Sequence, residues 1–265
     1  MITSLQNEQV KHVVALHRGK GRKEYGQYLI EGRRFVKEAF LRKTKILKLF
    51  YCFNPEESDL ANLVKQANIM GIPVEEVTDI VLKKMSATQE PQGILAILEK
   101  KNADWENIIT GKNTILLVIN GIQDPGNLGT ILRTALAVDV SQIILTEGTV
   151  DLYNPKVLRS TMGTIFSQKI LIDKAPQEIV NFCRVNNYTL AIATMEGNSI
   201  FKEGTSANYP LALVIGNEAF GPSEYFLNKA EEKYSLPMFN NVESLNVAMA
   251  TGIFLYELRR QMHFL

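Results

Sequence analysis

The sequence has little cysteine, little histidine and no long apolar run, and each shortage closes off a class of function. Cys52 and Cys183 are the only two cysteines in 265 residues. Neither lies in a C-x-x-C, so neither a disulfide framework nor a zinc site is indicated. His12, His17 and His263 have no metal-ligand spacing. His12 and His17 fall on a basic helix, where a solvent-facing position is the simpler reading, and no metal is expected. The longest apolar runs, Ile115–Ile119 and Leu211–Ile215, are strand-sized and far short of the roughly 20 residues that span a bilayer. The first eight residues have neither a basic nor an apolar signal region. We expect a cytoplasmic protein without membrane segments. G-x-G-x-x-G and G-x-x-x-x-G-K-[ST] are both missing, so neither the dinucleotide nor the P-loop fingerprint applies.

What is present is an ordinary globular composition, 46% hydrophobic and 22% charged, long enough to bury a substantial core. The net charge of +1 hides an asymmetry. Residues 1–50 carry twelve Lys and Arg against four Glu, a net +8 that leaves −7 for the remainder. A basic front end suggests a polyanionic partner, most often nucleic acid. Lys11, Arg18, Lys20, Arg22 and Arg33 are the candidate RNA contacts. A solvated face of scattered lysines is the alternative.

Periodicity divides the chain into two α/β segments. In the first, helices are expected at Asn7–Leu16, Arg33–Leu41 and Glu56–Met70. Strands are expected at Tyr28–Ile30, Ile46–Phe53, just after Pro73, and at Ile94–Leu98. The polar stretch Glu99–Thr110 breaks the pattern and reads as a linker. We therefore divide the chain into residues 1–100, a linker at 101–111, and 112–265. The second segment alternates strictly. Its expected strands are Thr114–Ile119, Gln142–Leu145, Thr189–Thr194, Leu211–Ile215 and Lys233–Leu236. Its expected helices are Leu128–Val138, Pro155–Met162, Gln177–Asn186, Ser223–Lys229 and Ser244–Met262. Such alternation implies a parallel sheet covered on both faces, with ligands bound beyond the carboxyl ends of the strands.

Three loops at such strand ends carry the chemistry. After Ile119 comes Asn120-Gly121-Ile122-Gln123-Asp124-Pro125-Gly126-Asn127-Leu128-Gly129, with Arg133 six residues past Asn127. Asn127 stands where a helix cap belongs, and Arg133 could hold a phosphate bidentately. An Asn cap and a surface Arg explain the loop equally well. After Ile215 comes Gly216-Asn217-Glu218-Ala219-Phe220-Gly221, a carboxylate flanked by glycines at a strand end. After Leu236 comes Pro237-Met238-Phe239-Asn240-Asn241-Val242-Glu243-Ser244-Leu245-Asn246-Val247. Ser244 is suited to cap the last helix, which leaves Asn246, a poor helix former, without a structural reason.

Together these segments resemble the three signature motifs of the SpoU or TrmH branch of the SPOUT RNA methyltransferases. Asn127, Gly129 and Arg133 match the first, Gly216-Asn217-Glu218 with Gly221 the second, and Ser244-Leu245-Asn246-Val247 the third. The resemblance covers about 112–262. More loosely, the front end is similar to the family's L7Ae-like RNA-binding extension, through Ile2-Thr3-Ser4, Asn7, Val10-Lys11, Arg22, Ile30-Glu31-Gly32 and Pro91-Gln92-Gly93.

The resemblance implies an α/β fold, with a C-terminal parallel-sheet domain tied in a deep trefoil knot and a small L7Ae-like α/β domain before it. It implies S-adenosylmethionine as cofactor, held around Thr194, Met195, Ile215, Gly216, Asn217, Leu236, Pro237, Met238, Ser244 and Leu245. It further implies a homodimer, with the apolar side of Ser244–Met262 as an interface element. The implied reaction is methylation of a ribose 2′-hydroxyl of structured RNA, with 23S ribosomal RNA as the leading substrate and transfer RNA the alternative. Arg133 takes the catalytic position, oriented with the ribose by Asn127, Glu218, Ser244 and Asn246. The resemblance makes it an activator of the 2′-hydroxyl; because arginine is effectively never deprotonated, holding the adjacent phosphate and the developing oxyanion is the physically easier role, and both stay open. Methylation of a base nitrogen, an RNA-binding protein with an inactive methyltransferase domain, and an ordinary doubly wound nucleotide enzyme are the competing readings.

Overall fold

A computed structural model describes residues 1–53, 58–101, 103–140, 142–202 and 207–262. The chain forms two compact units, Met1–Lys101 with Tyr153–Phe166, and Asn102–Leu152 with Ser167–Leu265.

The first unit opens with α1 (Glu8–Leu16) and α2 (Gly19–Tyr25). Asn7 caps α1, its side chain accepting from the Gln9 N–H at 2.8 Å, and Val10, Val13 and Leu16 form the buried stripe that helical spacing requires. Helix α2 has two glycines and no apolar stripe, so periodicity gives no sign of it. Arg22, expected on an RNA-facing surface, is instead buried, and its Nη1 donates to the carbonyls of Leu16 and His17 at 2.9 and 2.8 Å. It closes the carboxyl end of α1, where helical carbonyls lack partners. There follow β1 (Gln27–Glu31), α3 (Arg33–Leu41), β2 (Ile46–Tyr51), α4 (Ser58–Ile69), β3 (Val74–Glu76), α5 (Asp79–Met85) and β4 (Ile94–Glu99). Residues 56–57 of the helix expected over Glu56–Met70 lie outside the described residues. The sheet order is β1-β4-β2-β3, with β4 antiparallel to both neighbours. Its core joins Val13 and Leu16 of α1 to Phe50, Leu82, Met85 and Leu95.

The second unit begins with β5 (Ile115–Ile119), α6 (Pro125–Ala137) and β6 (Gln142–Thr146). The chain then returns to the first unit for 153–166, with α7 (Pro155–Thr161) against β1. It continues in the second with β7 (Lys169–Lys174), α8 (Pro176–Val185), β8 (Thr189–Ser199), β9 (Leu211–Ile215), α9 (Glu224–Lys229), β10 (Glu232–Ser235) and α10 (Val247–Gln261). The six strands are parallel throughout, in the order β10-β8-β9-β5-β6-β7. Strands β5, β6 and β9 are buried along their whole length, as uninterrupted apolar runs must be in a sheet covered on both faces. Leu116, Val118, Ile144, Val214 and Phe226 centre one core layer, over which α8 lays Ile179 and Cys183.

Helix α10 packs on α6, where Gly252 approaches so closely that an added Cβ would lie 3.4 Å from Thr134 Cγ2. At the far end of the pair the buried Arg259 donates to the Val138 carbonyl at 2.6 Å and to Asp139 Oδ2 at 3.2 Å, closing the carboxyl end of α6. Among the described residues no helix is long and apolar enough to cross a membrane, and no group of three His, Cys, Asp or Glu is arranged to hold a metal ion.

Candidate active site

Strands β5 and β9 pair through Ile119 and Ile215 at their last residues, so the loops that leave them start side by side. Asn120 ties the start together. It is buried, its N–H donates to the Ile215 carbonyl at 2.8 Å, its Nδ2 to Thr146 Oγ1 at 3.1 Å, and its Oδ1 accepts from the Ser223 N–H at 2.7 Å. The 216–222 turn then closes on itself. Asn217 and Gly221 exchange both backbone hydrogen bonds at 2.9 Å. Asn217 Oδ1 accepts from Ala219 and Phe220, while its Nδ2 donates to the Gly121 carbonyl at 2.7 Å. A Cβ on Gly216 would sit 1.9 Å from the Pro222 nitrogen and 2.0 Å from the Gly221 carbonyl carbon, so no side chain can stand there.

That turn delivers Glu218 to the first loop. Its carboxylate accepts from the N–H groups of Gln123 and Asp124 and from Asn127 Nδ2, each at 3.1 Å. Burial pushes the Glu218 carboxyl up, but the hydrogen bonds from Asn127 and from backbone N–H groups outweigh it and hold it below the usual carboxylate range. Asn127 Oδ1 in turn accepts from Asn246 Nδ2 at 2.9 Å, and Asn246 Oδ1 accepts from the N–H groups of Ala248 and Met249. One hydrogen-bond chain therefore runs Glu218–Asn127–Asn246 across three loops and ends on α10.

The helix caps differ from expectation. Asp124, not Asn127, caps α6, accepting from the Asn127 N–H at 2.8 Å. That frees the Asn127 side chain for Glu218 and Asn246. Asn246, not Ser244, caps α10, so it stands outside the helix, and its low helix propensity costs nothing there. Ser244 is exposed and makes no hydrogen bond among the described residues. Arg133 lies under two turns along α6 from Asn127. It too is exposed, without a hydrogen bond or ion pair among the described residues, and so is available to an external anion.

The remaining expected residues line the neighbouring strand ends. Between Ile192 and Asn198 strand β8 leaves its ladder, while the partner residues Lys233 and Tyr234 are consecutive. Thr194 and Met195 ride on the resulting excursion. Gly197 brings it back so tightly that a Cβ there would meet the Tyr234 and Lys233 backbone at 2.6–2.7 Å. Met195, Met238 and Leu245 leave 69%, 36% and 40% of their surface in solvent. Pro237 and Met238 make no hydrogen bond among the described residues. Unpaired backbone groups beside open thioether and aliphatic surfaces are what an adenosine carrying a sulfonium and an amino-acid tail needs, so these residues fit S-adenosylmethionine.

Three residues of this network were not singled out from the sequence. Asn120 and Asp124 anchor the first loop, and Gln123 braces it through Nε2 to the carbonyls of Gly121 and Gly148. Only Asp124, immediately before Pro125, carries a sequence signal, since an acidic cap followed by Pro at the first helical position marks a helix start.

Of the basic residues in the first unit, Lys11 pairs with Glu8 at 2.7 Å on the exposed face of α1, and Arg18 and Lys20 are exposed. Arg33 Nε donates to the Gln92 carbonyl at 3.1 Å.

Comparison with known proteins supplies the family. Residues 114–256 match the SpoU rRNA Methylase family, and residues 7–96 match the MRM3-like substrate binding domain. An uncharacterized tRNA/rRNA methyltransferase of Synechocystis is 35% identical over 98% of this chain and 93% of its own length. The 23S rRNA (guanosine(2553)-2′-O)-methyltransferase RlmP of Bacillus subtilis is 30% identical over 97% of this chain and 98% of its own. The AdoMet-bound rRNA methyltransferase of Sinorhizobium meliloti superposes with a TM-score of 0.87 at 30% identity, covering 100% of this chain and 98% of that one. The chain belongs to the SpoU rRNA methylase family.

Proposed function

We propose that this protein methylates a ribose 2′-hydroxyl of structured ribosomal RNA, with S-adenosylmethionine as donor. The observation that carries the reading is the Glu218–Asn127–Asn246 chain joining three strand-end loops beside an arginine whose side chain has no partner among the described residues. The donor supplies a methyl group already bonded to an excellent leaving group, so the protein's task is alignment, which is worth about 7–11 kcal/mol when well made. In this reading Gly216, Asn217 and Ile215, with Thr194, Met195, Leu236, Pro237, Met238, Ser244 and Leu245, hold the donor. Arg133 grips the phosphate next to the target ribose and stabilises negative charge as the hydroxyl loses its proton. Glu218 and Asn127 fix the loop that carries α6, and Asn246 ties it to α10.

Residues 1–100, joined in the fold by the returning segment 153–166, form the RNA-binding domain, with Lys11, Arg18, Lys20 and Arg33 on its surface. Residues 101–111 link it to the methyltransferase domain, whose loops follow the family's knotted path. Exposed Phe220, Phe239, Met249 and Tyr256 are suited to a second copy, and a cytoplasmic homodimer is the form we propose. Ribosomal RNA is favoured because the relative of known site acts on 23S rRNA.

The test is transfer of labelled methyl to ribosomal RNA by wild type, Arg133→Ala and Arg133→Lys, alongside cofactor titration. Arg133→Ala should lose tenfold or more of its transfer rate, roughly the worth of one charge-assisted contact. Cofactor binding should be unchanged, and lysine should rescue poorly because the planar fork is lost. Wild-type turnover in the alanine variant would remove Arg133 from the reaction.

A further inference from the structure

Two motifs of the front end, Ile30-Glu31-Gly32 and Pro91-Gln92-Gly93, have no part in the methyltransferase site. In the structure they meet. Gly32 holds φ at +98°, and a Cβ on it would lie 2.8 Å from Gln92 Oε1. The N–H of Arg33 donates to that same oxygen at 3.3 Å and its Nε to the Gln92 carbonyl. This junction forms one wall of a cleft of about 280 Å3, lying wholly within the first unit. That is just under the range of about 300–1,000 Å3 usual for drug-sized ligands, room for a ligand no larger than a single nucleotide.

The side chains in the cleft have a particular chemistry. Arg34 from α3 and Arg159 from α7 both line it, both are exposed, and neither side chain has a hydrogen bond or ion pair among the described residues. The two carboxylates present do not neutralise them. Glu31 is taken up by the Ser86 and Thr88 hydroxyls and by the Ala87 N–H at 3.0 Å, and Glu90 is exposed and pairs with neither arginine. Phe35 supplies an apolar floor, and Met162, 43% exposed, an apolar flank. Two open guanidiniums suit a phosphate, which they can grip bidentately. An apolar floor with a polarizable thioether suits the face of a base. Gln92 and Glu90 offer hydrogen-bond partners to its edge.

We propose that this cleft is a nucleotide pocket that takes one unpaired nucleotide of the RNA, its phosphate on Arg34 and Arg159 and its base between Phe35 and Met162. The proposal rests on the reading of RNA as substrate. It assigns the substrate-binding unit a pocket for a single splayed nucleotide in addition to a charged surface. Unpaired loops and bulges are where RNA offers such nucleotides.

The experiment uses the full-length protein. The four nucleoside 5′-monophosphates, guanosine and inorganic phosphate are titrated against wild type, Arg34→Ala, Arg159→Ala and the double variant, following amide shifts by NMR. Methyl transfer to ribosomal RNA is measured in parallel. At least one monophosphate should bind wild type more tightly than either guanosine or phosphate. Each alanine should weaken that binding about tenfold, the value of one charged hydrogen-bonded contact. The RNA KM should rise by a similar factor, with kcat and cofactor affinity unchanged, and Arg34→Lys should recover only part of the loss. Failure of every monophosphate to bind, equal binding of phosphate alone, or an unchanged RNA KM in the double variant would each overturn the pocket. If wild type transfers no methyl to any RNA, the reaction reading falls, while monophosphate binding by wild type against the variants still decides the cleft.

Discussion

Replacing Glu218 by alanine removes three hydrogen bonds at once, those from Gln123 N–H, Asp124 N–H and Asn127 Nδ2. Bonds to an ionised acceptor contribute about 1.5–3 kcal/mol each when protected from water. Glu218 is exposed, so solvent reclaims much of that, and we expect about 1–3 kcal/mol for the set. The loss falls on the junction of the 216–222 turn with the start of α6. Because the cofactor is proposed to rest on that turn, its affinity should drop between about fivefold and a hundredfold. Glu218→Gln keeps one accepting oxygen and should fall between wild type and alanine. Isothermal calorimetry with S-adenosylmethionine measures both. The pH dependence adds a second signature. Glu218 is held below the usual carboxylate range, so its contribution is complete above the unfolded value and is lost as pH falls through the lowered folded value. Wild-type affinity should therefore weaken in acid below the ordinary carboxylate range, and that portion of the dependence should vanish in Glu218→Gln. Wild-type affinity and transfer in both variants would refute the reasoning.

Gly216→Ala places a Cβ 1.9 Å from the Pro222 nitrogen. The turn must open, and cofactor affinity should fall by about tenfold or more; calorimetry that gives a wild-type Kd would show the turn to be dispensable. Arg259→Ala leaves the Val138 and Asp139 carbonyls uncapped and should cost about 2–3 kcal/mol, read as a lower urea midpoint; an unchanged midpoint would deny the clamp. Burial pushes the Cys183 thiol up to about 12, with a smaller contribution from Glu231, so at pH 8 it is a neutral thiol and a poor nucleophile. Ellman's reagent should modify the half-buried Cys52 first and Cys183 only on unfolding. Labelling of both at one rate in the folded protein would contradict the packing of α8.

The regular parts of the second unit were legible because each has its own periodic signal. Leu211–Ile215 is an uninterrupted apolar run and is strand β9 as read. β7 gave no such signal. Lys169–Lys174 is an edge strand paired only with β6, and with polar residues at both ends its apolar run of Ile170-Leu171-Ile172 is too brief to stand out. Helix α2 has no stripe at all, and Arg22 buttresses it against the end of α1. The site residues were legible as motifs, but their partners were not. A sequence places Asn127 and Asn246 in two loops, and only the fold shows that they touch each other across 119 positions. The same holds for the caps. Ser244 and Asn246 are both good caps, and the choice fell to Asn246 because the helix begins one residue after it.

The identity of the methylated atom tests the central claim most directly. Ribosomal RNA treated with the protein and labelled S-adenosylmethionine is digested to nucleosides, and the labelled species is identified by mass. A 2′-O-methylated nucleoside is expected, from one position that resists alkaline cleavage because the attacking hydroxyl is gone. A methylated base on an unmodified ribose would contradict the proposed reaction, while leaving the fold and the family in place.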